Sequence, residues 1–113
     1  MREEGGLPLL TFVPLLKPRV WGGRRLGTAL GRALPADGPP IGESWELVDL
    51  GAEQSLVADG ALAGTSLAKL AARSGPGLLG KARLLDGRFP LLLKFIAASE
   101  RLSVQVHPGP AAC

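Results

Sequence analysis

A mainly β fold with one or two short helices is what this sequence predicts, and three observations carry that expectation. Sixteen glycines and ten prolines among 113 residues favour turns over long regular elements. The stretch from Leu102 to His107 alternates strictly, with Leu102, Val104 and Val106 on one side of an extended chain and Ser103, Gln105 and His107 on the other. Helical spacing is confined to two short stretches, around Leu26–Leu30–Leu34 and around Leu67–Leu70–Ala71.

Taken in order, Leu7 to Leu16 is expected to be a first strand or a pair of extended pieces, bent by Pro8 and Pro14. Lys17-Pro-Arg-Val-Trp-Gly-Gly23 follows as an extended segment ending in a turn, and the two glycines suit a tight bend or a close backbone approach. A helix is expected from about Arg24 to Ala33, then a loop over Pro35 to Pro40. Ile41 to Leu50 reads as a strand carrying Glu43 and Glu46 around Trp45, its acids either facing water at an edge, the favoured reading, or lining a pocket. Ser55-Leu-Val57 reads as a short strand ending at Ala58-Asp-Gly60. Thr65 is placed to cap a helix running from Ser66 to about Arg73, with Gly75 beyond its end. Gly77 to Leu85 is a loop, and Asp86-Gly87 turns into a final antiparallel pair: an apolar strand, Leu91 to Ala98, interrupted by Lys94, and the alternating one after it.

At this length the chain is at most one small domain. A hydrophobic content of 46% is ample for a core, and 20% charged residues is too few for a disordered tail. The net charge of +3 is scattered, with Arg24-Arg25 the one adjacent basic pair and aromatics limited to Phe12, Trp21, Trp45, Phe89 and Phe95. A nucleic-acid partner is therefore not expected. An attraction for phosphorylated small molecules is compatible with the charge. One cysteine, Cys113, allows no intrachain disulfide, which fits a reducing cytoplasm. Met1-Arg-Glu-Glu4 is acidic where a signal peptide would be basic, and the apolar Leu7–Leu16 stretch is far too short to span a membrane. The expectation is a soluble cytoplasmic protein with no membrane partner.

Chemistry is sought on the polar side of the last strand. Side chains two apart on a strand project the same way from alpha carbons about 6.5–7 Å apart. Gln105 and His107 can therefore lean toward one metal ion, for which a neutral imidazole and an amide oxygen are acceptable ligands. Equally, the same two residues can form a solvated face that Pro108 ends, since two ligands do not make a metal site.

Five segments, in order and in spacing, resemble the type I mannose-6-phosphate isomerases: Lys17-Pro-Arg-Val-Trp-Gly-Gly23, Ile41-Gly-Glu-Ser-Trp-Glu46, Gly64-Thr-Ser-Leu67, Phe89-Pro-Leu-Leu-Leu-Lys-Phe95 and Leu102-Ser-Val-Gln-Val-His-Pro108. The resemblance covers nearly the whole chain. It implies a cupin-type (jelly-roll) β-barrel, incomplete here, and an enzyme that binds one zinc ion and interconverts mannose 6-phosphate and fructose 6-phosphate. Gln105 and His107 match the family's first two zinc ligands. Lys94 and Ser103 match positions that hold the sugar phosphate or its hydroxyls, and Trp21 and Glu43 match residues lining the same pocket.

The family's remaining ligands, a glutamate and a second histidine, and an arginine near the reacting centre belong to sequence beyond Cys113. The chain is accordingly expected to be the N-terminal portion of such a domain, inactive alone. The reaction implied is proton transfer between the two carbons flanking the shifting carbonyl, through an ene-diol, with zinc as Lewis acid; these residues do not assign its general base. The alternatives are a non-enzymatic cupin module that binds sugar or metal, and an inactive truncated product.

Overall fold

The computed structural model describes residues 7–102. Its centre is an antiparallel sheet of three strands in the order β1-β2-β3, formed by Leu15–Gly23 (β1), Ile41–Leu47 (β2) and Leu93–Ile96 (β3). Two short helices, Arg25–Leu30 (α1) and Leu67–Leu79 (α2), and a two-stranded ribbon of Asp49–Leu50 and Glu53–Gln54 complete the regular structure among these residues. The mainly β expectation with few short helices holds.

The differences from expectation each have a local cause. The first strand starts at Leu15 rather than Leu7, because Pro8 and Pro14 withhold ladder donors. What precedes it makes one bridge, Phe12 to Val57. Helix α1 stops at Leu30, where Gly31 takes the left-handed conformation at φ 73°. Ser66, not Thr65, caps α2, its hydroxyl accepting the Lys69 amide at 3.2 Å. Helix α2 outruns its expected end. Ser74 breaks it at φ −128°, and Pro76, with no N–H to leave unpaired, opens a second helical piece to Leu79. Ser55–Val57 pairs only through single bridges. Asp86 and Gly87 both adopt positive φ, 52° and 77°, as a type I′ turn demands, and Leu85 bridges Arg88 across them.

The core is small: Leu26, Ile41, Val48, Val57, Leu67, Leu70 and Ala71 are buried. Ser55 ties its base, exchanging hydrogen bonds with Val48 through both its hydroxyl, at 2.8 Å, and its amide, at 2.9 Å. A relay reaches from there to α2. The buried Asp49 carboxylate accepts the Phe89 amide at 3.0 Å and the Gln54 side-chain amide at 2.5 Å, and the Gln54 carbonyl accepts the Ala68 amide in the first turn of α2. Burial alone would raise the Asp49 pKa, but the bonds from Gln54, Phe89 and Gly51 and the nearby Arg88 charge bring it below the usual range.

The described chain is flat, 48 × 41 × 21 Å, with a radius of gyration of 16.7 Å against about 13 Å for a compact domain of this length. Strand β3 shows why. Every residue in it is exposed, including Phe95 at 46% and Ile96 at 54%, and Leu91 and Leu92 before it are exposed too. A strand that among the described residues pairs on one edge and carries an apolar, uncovered surface invites association. The isolated chain is expected to self-associate at micromolar concentration, and Leu93→Lys with Ile96→Lys should suppress this. Sedimentation velocity decides: a monomeric wild-type profile across a hundredfold dilution range contradicts the expectation.

Candidate functional site

Strand β2 is the middle strand, and its alternation sorts its polar residues onto two faces. Glu43 and Trp45 share one face; Ser44 and Glu46 share the other. Cross-strand register puts Lys17 of β1 opposite Glu43, and Lys94 of β3 opposite Trp45. The ladder is interrupted after Lys17 and again after Pro18, so the second half of β1 swings across the start of β2.

The first face is organised on the Glu43 carboxylate, only 7% exposed. It accepts the Trp45 indole N–H at 2.8 Å and the Lys94 ammonium at 3.3 Å. Arg19 approaches it through Nε at 3.3 Å and Nη2 at 3.4 Å. Burial on its own would raise the Glu43 pKa. The bonds from Trp45 and Lys94 and the charges of Lys94 and Arg19 prevail, and the carboxyl sits below its ordinary value. The acid expected at a water-facing edge is thus a buried, ionised group, because β2 has a strand on either side.

Lys17 and Lys94 both lie over the Trp45 ring, with ammonium-to-centroid distances of 4.4 and 5.8 Å, and Lys17 is ion-paired with Glu53. Glycine makes the neighbouring corner possible. A Cβ on Gly42 would stand 2.6 Å from the Trp21 ring and 2.7 Å from the Arg19 Cβ, so its absence is what lets both side chains lie over β2. The Trp21 carbonyl accepts the amides of Ser99 and Glu100, and the Gly42 carbonyl accepts that of Ala97, fixing the chain that leaves β3.

The opposite face holds a closed network. Arg32, delivered by the end of α1, donates to Glu46 at 2.7 Å and to Ser44 at 3.3 Å, and the Ser44 hydroxyl donates to Glu46 at 2.5 Å. Its guanidinium also lies 6.0 Å from the Phe95 ring.

Of the residues singled out from sequence, Glu43 and Lys94 are brought into contact, and Trp21 is set over Gly42, next to Glu43. Ser103, Gln105 and His107 lie outside the described residues, as does the pairing expected for their strand. Lys17, Arg19 and Trp45 were not singled out. The signal was there: Lys17, Arg19 and Trp21 recur at the same two-residue spacing that drew attention to the polar side of residues 103–107.

Comparison with known proteins matches residues 9–112 to the family described as phosphomannose isomerase type I, catalytic domain. The chain belongs to this family. It is 40% identical over 100 residues to a probable mannose-6-phosphate isomerase, GmuF, of Bacillus subtilis, covering 88% of this chain and 30% of that protein. It is 36% identical to the mannose-6-phosphate isomerase of Streptococcus mutans, covering 82% of this chain and 28% of that one. A crystal structure of the mannose 6-phosphate isomerase from Bacillus subtilis superposes with a TM-score of 0.66 at 28% identity, over 79% of this chain and 27% of that one. The chain therefore spans less than a third of the length of these relatives. Its sheet is an incomplete part of the family's cupin-type barrel.

Because the folded-state pKa of Glu43 is depressed, its contribution to stability is present above the ordinary glutamate value, about 4.3, and is lost as pH falls through the folded value. Trp45 fluorescence, which reports the indole bond to this carboxylate, should titrate with a midpoint below that value, and Glu43→Gln should remove the transition. A midpoint at or above the ordinary value contradicts the charge balance described. Gly42→Ala should separately cost on the order of 1–3 kcal/mol through overpacking against Trp21 and Arg19, measured by thermal melting; an unchanged melting temperature contradicts the close approach.

Proposed function

We propose that the protein carrying this chain is a zinc-dependent aldose–ketose isomerase acting on mannose 6-phosphate and fructose 6-phosphate in the cytoplasm, and that residues 1–113 form the N-terminal part of its catalytic domain. The observation that carries this reading is the family match over residues 9–112, whose relatives bear that name. The geometry supports it. Lys94 stands at the rim of the sheet with its ammonium held by Glu43, so it meets a phosphate as an ordered point charge. Trp21 walls the same corner, and Ser103 is assigned a hydroxyl contact with the sugar phosphate.

No group of three or more His, Cys, Asp or Glu among the described residues could hold a metal, and Glu43 is committed to Trp45, Lys94 and Arg19. The resemblance assigns the zinc to Gln105 and His107, outside the described residues, with further ligands from elsewhere in the domain. When bound, it supplies Lewis acidity to the sugar oxygens. Glu43 holds the Lys94 ammonium in place, and the sheet beneath excludes water from one side of the phosphate.

The test is an isomerisation assay on the protein as encoded, with metal analysis of the same preparation. Lys94→Met should raise KM for both sugar phosphates about tenfold or more with zinc content unchanged, as loss of one charge-assisted contact implies. His107→Ala should lose metal and turnover, whereas Gln105→Ala should lose less, because water replaces an amide oxygen more readily than an imidazole. Absence of isomerisation by the metal-loaded wild type overturns the function. Unaltered KM values remove Lys94 from the phosphate, and full zinc in His107→Ala removes the ligand assignment.

A further inference from the structure

We propose that Arg19 is a second anion-binding residue of this site, taking a phosphate beside Lys94, with Glu43 as the carboxylate that positions both cations. The proposal deepens the sugar-phosphate reading and rests on it for the identity of the ligand.

The first argument is charge. Lys17 is matched by Glu53, but among the described residues Arg19 and Lys94 share the single Glu43 carboxylate, two cations to one acid. The second is geometry. The two Arg32 and Arg19 guanidiniums flank the same strand from opposite faces and are held differently. Arg32 meets Glu46 at 2.7 Å, the length of a full charge-assisted bond, whereas Arg19 stands off Glu43 at 3.3 and 3.4 Å. Arg32 is spent on its network; Arg19 is only tethered. The third is donor inventory. Arg19 Nε and Nη2 point to Glu43 and Nη1 to the Pro18 carbonyl, which leaves one N–H on each terminal nitrogen, the fork that grips two oxygens of one phosphate. The cleft on the other flank of Arg19 is lined by Pro18, Val20, Pro39 and Pro40 and, among the described residues, offers an anion no second polar side chain. An anion gripped by the free N–H groups of Arg19 also comes within reach of Lys94, which is tethered to the same carboxylate. Gly42 belongs to the same arrangement, since any side chain there would lift Arg19 off β2.

The experiment titrates inorganic phosphate, and separately mannose 6-phosphate, into the metal-loaded protein as encoded, by calorimetry and by tryptophan fluorescence. Arg19→Gln should weaken phosphate binding tenfold or more. Arg19→Lys, which keeps the charge but loses the fork, should fall between it and wild type, and this partial rescue separates anion binding from a merely structural effect. Lys69→Gln on the exposed side of α2 should bind as wild type does. Wild-type affinity in both Arg19 variants, or no phosphate binding by wild type, overturns the proposal. If phosphate binding follows Arg19 while the metal-loaded protein isomerises no sugar phosphate, Arg19 stands as an anion ligand and the isomerase reading falls.

Discussion

A carboxylate in the middle strand of a sheet cannot be left without partners, and this requirement shapes the site. Stripping water from an unpaired charge costs several kcal/mol after relaxation. Glu43, nearly covered on β2, therefore needs donors from both neighbouring strands. Strand β3 answers with Lys94. Strand β1 answers indirectly: Lys17 stands opposite Glu43 in register yet turns to Glu53, and the break in the ladder at Pro18 brings Arg19 round instead. The Arg19 amide, freed from β2, bonds the Pro40 carbonyl at 3.1 Å. The irregularity in β1 thus follows from where its cations must go.

The two faces of β2 divide the work. Arg32, Ser44 and Glu46 satisfy one another at short distances and lock α1 to the sheet. On the other side Arg19 and Lys94 stand 3.3–3.4 Å from Glu43, two cations serving one acid. A closed network rigidifies its surroundings; an open one with donors in excess keeps capacity for a ligand. The same strand supplies both because its side chains alternate, so scaffold and site are one residue apart along the chain.

Much of this was legible in the sequence. The turn at Asp86-Gly87, the apolar strand around Lys94 and the close backbone approach at Gly22 all followed from local chemistry, whereas the turn expected at Gly22-Gly23 is the end of strand β1. The burial of Glu43 did not. Whether an acid on a strand faces water depends on how many strands flank it, which no local window contains. The end of α2 was misplaced for a related reason: Gly75-Pro76 reads as a stop, but a proline is well suited to opening the next helical turn, and the chain restarts after Ser74. The Lys17–Arg19–Trp21 alternation was legible, but that Arg19 rather than Lys17 meets Glu43 follows from a register break that no local window contains. The metal ligands suggested by the Gln-x-His spacing fall beyond residue 102, the last one described.

The hold of Asp49 on the Phe89 amide divides the segment between α2 and β3 into two parts of different character. From Gly80 to Leu84 the backbone is exposed, and Gly80 ends the helix with a positive φ. From Leu85 to Phe89 it is closed by its own turn and pinned to the ribbon. Extra residues inserted into the first part would lengthen a surface loop at little entropic cost, whereas one added residue between Gly87 and Phe89 would break the tie to Asp49 and shift the frame in which Lys94 meets β2. Length variation among related chains should gather on the helix side of Leu85, and a protease should find its first cut there.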